Sequence, residues 1–325
     1  MHDLDLDALL AGLAERRPRE LGRAISVVER GGRQAAELVR RVTRRGQNAA
    51  VVGVTGPPGA GKSTLVDRLA RARRAEGETV GILAVDPTSP FSGGALLGDR
   101  IRMQELYTDP GVFIRSMATR GAMGGLARAT RDAVDLLDAS GFDWILVETV
   151  GVGQDEVDVV RTVDTVVLAT VPGLGDEIQA IKAGIMEIAD VFVINKSDRA
   201  GADATLRDLR SMLQMSEPRG WKPPIVQTVA SENRGTEELV DAIDAHRVYL
   251  EQSSEKSARR LQQLRLRVET LLKERVLEAA NRGHALEEEL ARGFERHEDP
   301  YTLADRLFES AVRAVGAAGG RGGEA

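Results

Sequence analysis

Among 325 residues there is no cysteine. That absence excludes disulfides, thiolate metal sites and a cysteine nucleophile, and it suits the reducing cytoplasm where the chain is expected to reside. Aromatic residues make up only 3% of the chain, and 44 Lys and Arg are outnumbered by 50 Asp and Glu, leaving a net charge of −6. A nucleic-acid surface built from a basic groove and stacking rings is therefore not expected. Long apolar runs are missing too, none approaching the ~18 residues that read as a membrane span. The N-terminus MHDLDLDALL is acidic where a secretory signal would be basic, so neither a membrane nor export is expected. What is present, 42% hydrophobic and 29% charged residues, is the composition of a soluble chain able to bury a sizeable core.

Residues 1–47 carry Leu9, Leu10, Leu13, then Leu21, Ile25, Val28, then Leu38, Val39, Val42, a helical spacing that predicts two or three amphipathic helices. From Ala49 the pattern changes to short β-branched runs: AAVVGV, VGILAV, GVFI, DWILVET, TVVLATV, VFVIN and IVQTV. Continuously apolar strands alternating with helical segments predict an α/β domain over 48–248, with a doubly wound, mostly parallel sheet covered on both faces. Periodicity leaves the strand order open. Residues 249–316 form a helical arm in which Leu261, Leu264, Val268, Leu271 and Leu272 make a narrow stripe. Such a stripe either packs back on its own domain or meets a second copy of the chain. The Gly-rich tail over 317–325 is expected to fray.

The strand AAVVGVT runs into Gly56-Pro-Pro-Gly59-Ala60-Gly61-Lys62-Ser63-Thr64 and then LVDRLARAR. Strand, GxxxxGK[ST] loop and helix in succession predict a phosphate-binding loop. Its glycines let backbone N–H groups curl around a phosphate at a helix N-terminus, Lys62 brings a charge to the β- and γ-phosphates, and Ser63 is the Mg²⁺ ligand. The run VFVI ends in Asn195-Lys196-Ser197-Asp198. An aspartate in that NKxD arrangement accepts from N1–H and the 2-amino group of guanine, a donor pair that adenine lacks, so GTP is the expected nucleotide. Ala230, after the next strand, is a candidate to present its N–H to the guanine carbonyl.

Three acidic residues lie between these motifs: Asp86 after VGILAV, Asp99 in LLGDRIRM and Glu148 in ILVETVGVGQDE. Carboxylates at strand ends near a phosphate loop suit Mg²⁺ held directly or through water. Glu148 to Gly151 mimics the DxxG spacing of a γ-phosphate-sensing loop, and the following run through Gly153 and Gln154 is a switch candidate. Two extra residues separate Gln154 from the position of the catalytic glutamine in Ras-like proteins.

Taken together, GPPGAGKST, AVDPTSP (84–90), GDRIRM (98–103), ETVGVGQ (148–154), PGLGDEIQAIK (172–182) and NKSD resemble the MeaB/MMAA family of GTPases, also labelled ArgK. The resemblance covers the central domain almost end to end and extends to the N-terminal helices and the C-terminal arm. It implies a homodimeric G-protein chaperone of an adenosylcobalamin-dependent acyl-CoA mutase, hydrolysing GTP to gate cofactor delivery from an adenosyltransferase and to protect or reactivate the mutase. By motif position Lys62, Ser63, Asp86, Asp99 and Glu148 inherit phosphate and Mg²⁺ roles. Asn195, Lys196 and Asp198 inherit guanine recognition, and Pro172, Gly173, Asp176 and Lys182 fall in a third switch. The base-binding stretch TVASENRG departs from the family's TSA followed by Leu. None of the four histidines lies in a DxHxxG cobalamin motif, so the chain is expected to act in trans. Competing readings are a nickel-insertion GTPase, which zero cysteines and scattered histidines argue against, a small-molecule kinase, which would prefer ATP, and a nucleotide-dependent scaffold.

Overall fold

A computed structural model describes residues 5–43, 48–86, 104–118, 125–149, 160–173, 188–215, 220–281 and 285–319. Three helices come first: α1 (Leu6–Ala14), α2 (Pro18–Arg30) and α3 (Gly32–Thr43). Asp5 caps α1 by accepting from the N–H groups of Asp7 and Ala8, and Pro18 opens α2, a position where its missing N–H leaves no helical bond unmade. There follow β1 (Ala50–Thr55), α4 (Lys62–Ala75), β2 (Val80–Asp86), the single turn α5 (Gln104–Tyr107), β3 (Val112–Ala118), α6 (Gly125–Ala139), β4 (Trp144–Thr149), β5 (Thr165–Thr170), β6 (Val191–Asn195), α7 (Ala202–Met215) and β7 (Ile225–Thr228). A 3₁₀ turn at Ala230–Glu232 precedes α8 (Thr236–Gln252), α9 (Glu255–Ala280), α10 (Ala285–Glu295) and α11 (Pro300–Gly319), so helix continues into the first residues of the Gly-rich tail.

All seven apolar runs become strands of one wholly parallel sheet in the order β3-β2-β4-β1-β5-β6-β7. β1, β4 and β5 are buried along their whole length. Alternate residues point to opposite layers, as the pleat requires. Val51, Ile145, Val147, Leu168 and Phe192 join a core with Leu13, Leu21, Ile25, Leu38 and Leu136 of the N-terminal helices and α6. Val52, Val54, Leu146, Val167 and Val193 face Leu65, Leu69, Leu239 and Ile243 of α4 and α8. The chain builds outward from β1 on one side as far as β3, returns through β4 and then builds outward on the other. That reversal leaves a crevice at the C-terminal end of β1, where open α/β sheets bind ligands.

Two compact units divide the chain, Met1–Arg259 and Arg260–Ala325. At the N-terminal end of β6, Asp190 is 1% exposed and receives both terminal nitrogens of Arg259 at 2.9 and 2.7 Å and the Val166 N–H at 2.9 Å. The buried ring of His246 stands 3.4 Å from the same carboxylate and 2.9 Å from the Thr165 hydroxyl. Trp221 donates its indole N–H to the Asp190 carbonyl at 2.8 Å. Burial holds His246 below its ordinary pKa, with Asp190 opposing. Burial opposes the charge on Arg259, yet Asp190 and Glu255 raise its pKa overall. In the second unit Ala279, Ala280 and Ala311 pack together, and Arg306 pairs with Glu298 through two 2.8 Å bonds.

Candidate functional site

β1 delivers the chain to Gly56, whose φ of 145° and close approach to β5 leave no room for a side chain: a Cβ would collide with the Ala169 carbonyl. Gly61, at φ 86°, is the N-cap of α4, and a Cβ there would collide with the Asn195 side chain. These two glycines are required by backbone geometry, not by composition alone. Helix α4 begins at Lys62, so the N–H groups of its first turn, that of Thr64 among them, face back toward the loop. Lys62 is 6% exposed and donates to the carbonyls of Gly56 and Pro57 at 2.8 and 3.0 Å.

The register of β1 against β4 pairs Val54 with Glu148 and so carries the carboxylate to the same sheet edge. Ser63 donates its hydroxyl to Glu148 Oε1 at 2.5 Å, and behind them Thr149 donates to Thr55 at 2.9 Å. Two oxygen donors converge beside the phosphate loop. Magnesium prefers such hard ligands and takes only one or two from protein when phosphates supply others, so the donor set fits it. No cluster of three or more metal-binding side chains occurs among the described residues.

On the other side of β1, the β6–β7 register pairs Asn195 with Thr228 and brings the NKxD turn against the residues after β7. Asn195 is 2% exposed; its amide donates to the Ala60 carbonyl at 2.8 Å, and its oxygen accepts from the Thr228 hydroxyl and the Ala230 N–H, both at 3.1 Å. Ala230's N–H is thus shared with Asn195 before any base is considered. Lys196, at φ 56°, donates to the Gly59 carbonyl at 2.7 Å, so both residues of the turn grip the phosphate loop. The Asp198 carboxylate, by contrast, is exposed at the mouth of the turn. Pro172 and Gly173 follow β5 in a turn that abuts Gly201, just beyond the NKxD motif.

Asp86 closes β2. Asp99, Gly151, Gly153, Gln154, Asp176 and Lys182 lie outside the described residues. Sequence reasoning overlooked the Thr55–Thr149 pair and Arg68, which donates to the Ala230 and Ser231 carbonyls at 2.8 and 3.1 Å. Neither carries a local motif; both depend on elements far apart in the chain.

No helix among the described residues is long and apolar enough to cross a membrane. Residues 21–285 match the family model described as "Methylmalonyl Co-A mutase-associated GTPase MeaB". A protein of Pyrococcus abyssi described as a GTPase is 50% identical over 314 residues, which are 94% of this chain and 97% of that one. The mouse "Methylmalonic aciduria type A homolog, mitochondrial" is 38% identical over 84% of this chain and 70% of its own. Among solved structures, one titled "Crystal structure of LAO/AO transport system kinase" superposes with a TM-score of 0.70 at 28% identity, covering 95% of this chain and 98% of that one. A phosphate loop at the switch point of a parallel sheet, clasped by an NKxD turn and matched over most of its length, makes this chain a member of the MeaB family of P-loop GTPases, which bind guanine nucleotide and hydrolyse GTP.

Proposed function

We propose that this GTPase serves an adenosylcobalamin-dependent acyl-CoA mutase, coupling GTP binding and hydrolysis to delivery of the cofactor and to protection or reactivation of the mutase. The observation that carries the reading is the match of residues 21–285 to a family whose description ties its GTPases to methylmalonyl-CoA mutase. The mouse relative's name supports it. Methylmalonyl-CoA mutase is the first candidate client, with the isobutyryl-, ethylmalonyl- and 2-hydroxyisobutyryl-CoA mutases as relatives to compare, and an adenosyltransferase is the expected cofactor donor.

At the site, the N–H groups at the start of α4 and the Lys62 ammonium bind the β- and γ-phosphates and stabilise the charge that builds as the terminal phosphoryl group leaves. Ser63 and Glu148, with Asp86 and Asp99 by motif position, would hold Mg²⁺. When bound, Mg²⁺ would supply positive charge that offsets the negative charge of the phosphates. Asp198 accepts from guanine N1–H and the 2-amino group, while Asn195 and Lys196 keep the base turn docked on the phosphate loop. Gly151 to Gln154 and Pro172 to Lys182 report the nucleotide state to the partner. The arm would support a homodimer through its stripe, where Leu261 is 68%, Leu264 56% and Leu272 55% exposed.

The deciding experiment measures GTP hydrolysis by the purified chain alone and with each candidate mutase, with ATP in parallel. Stimulation by one mutase and not the others identifies the client. No stimulation by any of them removes the mutase role and leaves the GTPase.

A further inference from the structure

Helix α4 carries four arginines, and three pair with carboxylates: Arg71 with Asp67 and Glu105, Arg73 with Asp244 and Glu76, Arg74 with Asp109. Arg68 does something else. Its Nε donates to the Ala230 carbonyl at 2.8 Å and its Nη2 to the Ser231 carbonyl at 3.1 Å, two successive peptides of the turn that follows β7. The same turn is held from its other side. Asn195 accepts the Ala230 N–H, and the Val229 carbonyl accepts from the N–H groups of Glu232 and Arg234 at 2.9 and 3.3 Å. The peptide plane that bears the Ala230 N–H therefore has its own two polar groups bonded, and the carbonyl that follows is anchored by a cation.

We propose that Arg68 is a positioning residue for guanine recognition, holding the turn so that the Ala230 N–H, donated here to Asn195, lies where the 6-oxo group of the base can share it. The inference rests on the guanine reading given above. The physical argument is one of stiffness. A hydrogen-bond donor discriminates an oxo acceptor from a poorer one only if it is held in place, since a mobile turn would swing to any partner. Without Arg68, the Ala230 carbonyl would keep the longer 3.3 Å bond from the Asn233 N–H. Arg68 also stands six residues beyond Lys62 on one rigid helix, about 9 Å along its axis. The phosphate end and the base end of the nucleotide are thus tied to the same element, as they are by Asn195 from the opposite flank.

The test compares dissociation constants of GDP, ADP and 6-thio-GDP for the wild type, Arg68→Ala, Arg68→Lys and Asp198→Asn. 6-Thio-GDP keeps N1–H and the 2-amino group but offers sulfur, a weak acceptor. Arg68→Ala should lose the wild-type preference for GDP over 6-thio-GDP and weaken GDP about tenfold, the size expected for losing a charged hydrogen bond. ADP should weaken far less. Arg68→Lys, retaining one cationic donor, should recover part of the preference, and in turnover the loss should fall on KM more than kcat. Asp198→Asn should abolish GDP-over-ADP selection yet keep the preference for oxygen over sulfur. Equal weakening of all three nucleotides in Arg68→Ala, or a wild type indifferent to sulfur, would overturn the Arg68 role while the Asp198 reading stands. Unchanged GDP-over-ADP selection in Asp198→Asn would overturn the guanine reading, and this role with it.

Discussion

Ser63, in the first turn of α4, and Glu148, one residue before the end of β4, lie 85 positions apart in the chain and meet at 2.5 Å. A hydroxyl donating to a carboxylate in a partly buried pocket is a strong, charge-assisted bond. It brings two oxygen donors together beside the phosphate loop. Glu148→Gln keeps the shape and removes the charge. The Mg²⁺ concentration needed for half-maximal GTP hydrolysis should rise at least about tenfold, the lower end of what lost outer ligands do to metal sites. GDP binding measured in excess chelator should change much less, and a magnesium titration of both forms checks this.

Lys62 is tethered to the Gly56 and Pro57 carbonyls, so its loss removes a charge from the phosphates and a brace from the loop. Lys62→Ala should lower single-turnover GTP hydrolysis by about 10²-fold or more, as for other preorganised stabilising groups. Hydrolysis at the wild-type rate would remove the phosphate loop from the chemistry.

Asn195 makes three buried hydrogen bonds that join the phosphate loop to the base turn. Asn195→Ala strands the Ala60 carbonyl and the Ala230 N–H, each worth about 1–3 kcal/mol when left unpaired. Urea unfolding should show a loss on the order of 3 kcal/mol, and nucleotide affinity should fall with it.

Below neutrality the buried His246 should destabilise the fold. Its folded pKa lies under the ordinary 6.5 because burial disfavours the imidazolium, with Asp190, Glu255 and Asp164 opposing and Arg259 reinforcing. The unfolded chain therefore binds the proton first, so stability rises with pH across the window between the folded value and 6.5 and falls as acid is added. Melting temperatures taken through that window should decline towards acid, with a shallower slope in His246→Gln.

Asp190 is clamped by Arg259 through two bonds while 1% exposed. Removing the arginine leaves a buried carboxylate with diminished compensation, which typically costs about 3–5 kcal/mol. Arg259→Ala should approach that loss in denaturant melts, whereas Arg265→Ala, removing an exposed pair with Glu269, should change stability by less than about 1 kcal/mol.

Much was determined by local pattern. Continuously apolar runs such as VVGV and FVIN can be buried on two faces only in a parallel sheet with helices on both sides, and GPPGAGKST supports one loop geometry because Gly56 and Gly61 take conformations that a Cβ would forbid. The NKxD turn was legible because it is four consecutive residues at a strand end. Strand order was not, because periodicity records which face is buried and not which neighbour lies alongside. Only the tertiary fold decided that β4 and β5 flank β1, and hence that Glu148 meets Ser63 and Thr149 meets Thr55. Arg68 on Ala230 and Arg259 on Asp190 belong to the same class. A long side chain's partner is chosen by the packing of whole elements, and that is a property of the assembled sheet and its helices, not of any window of sequence.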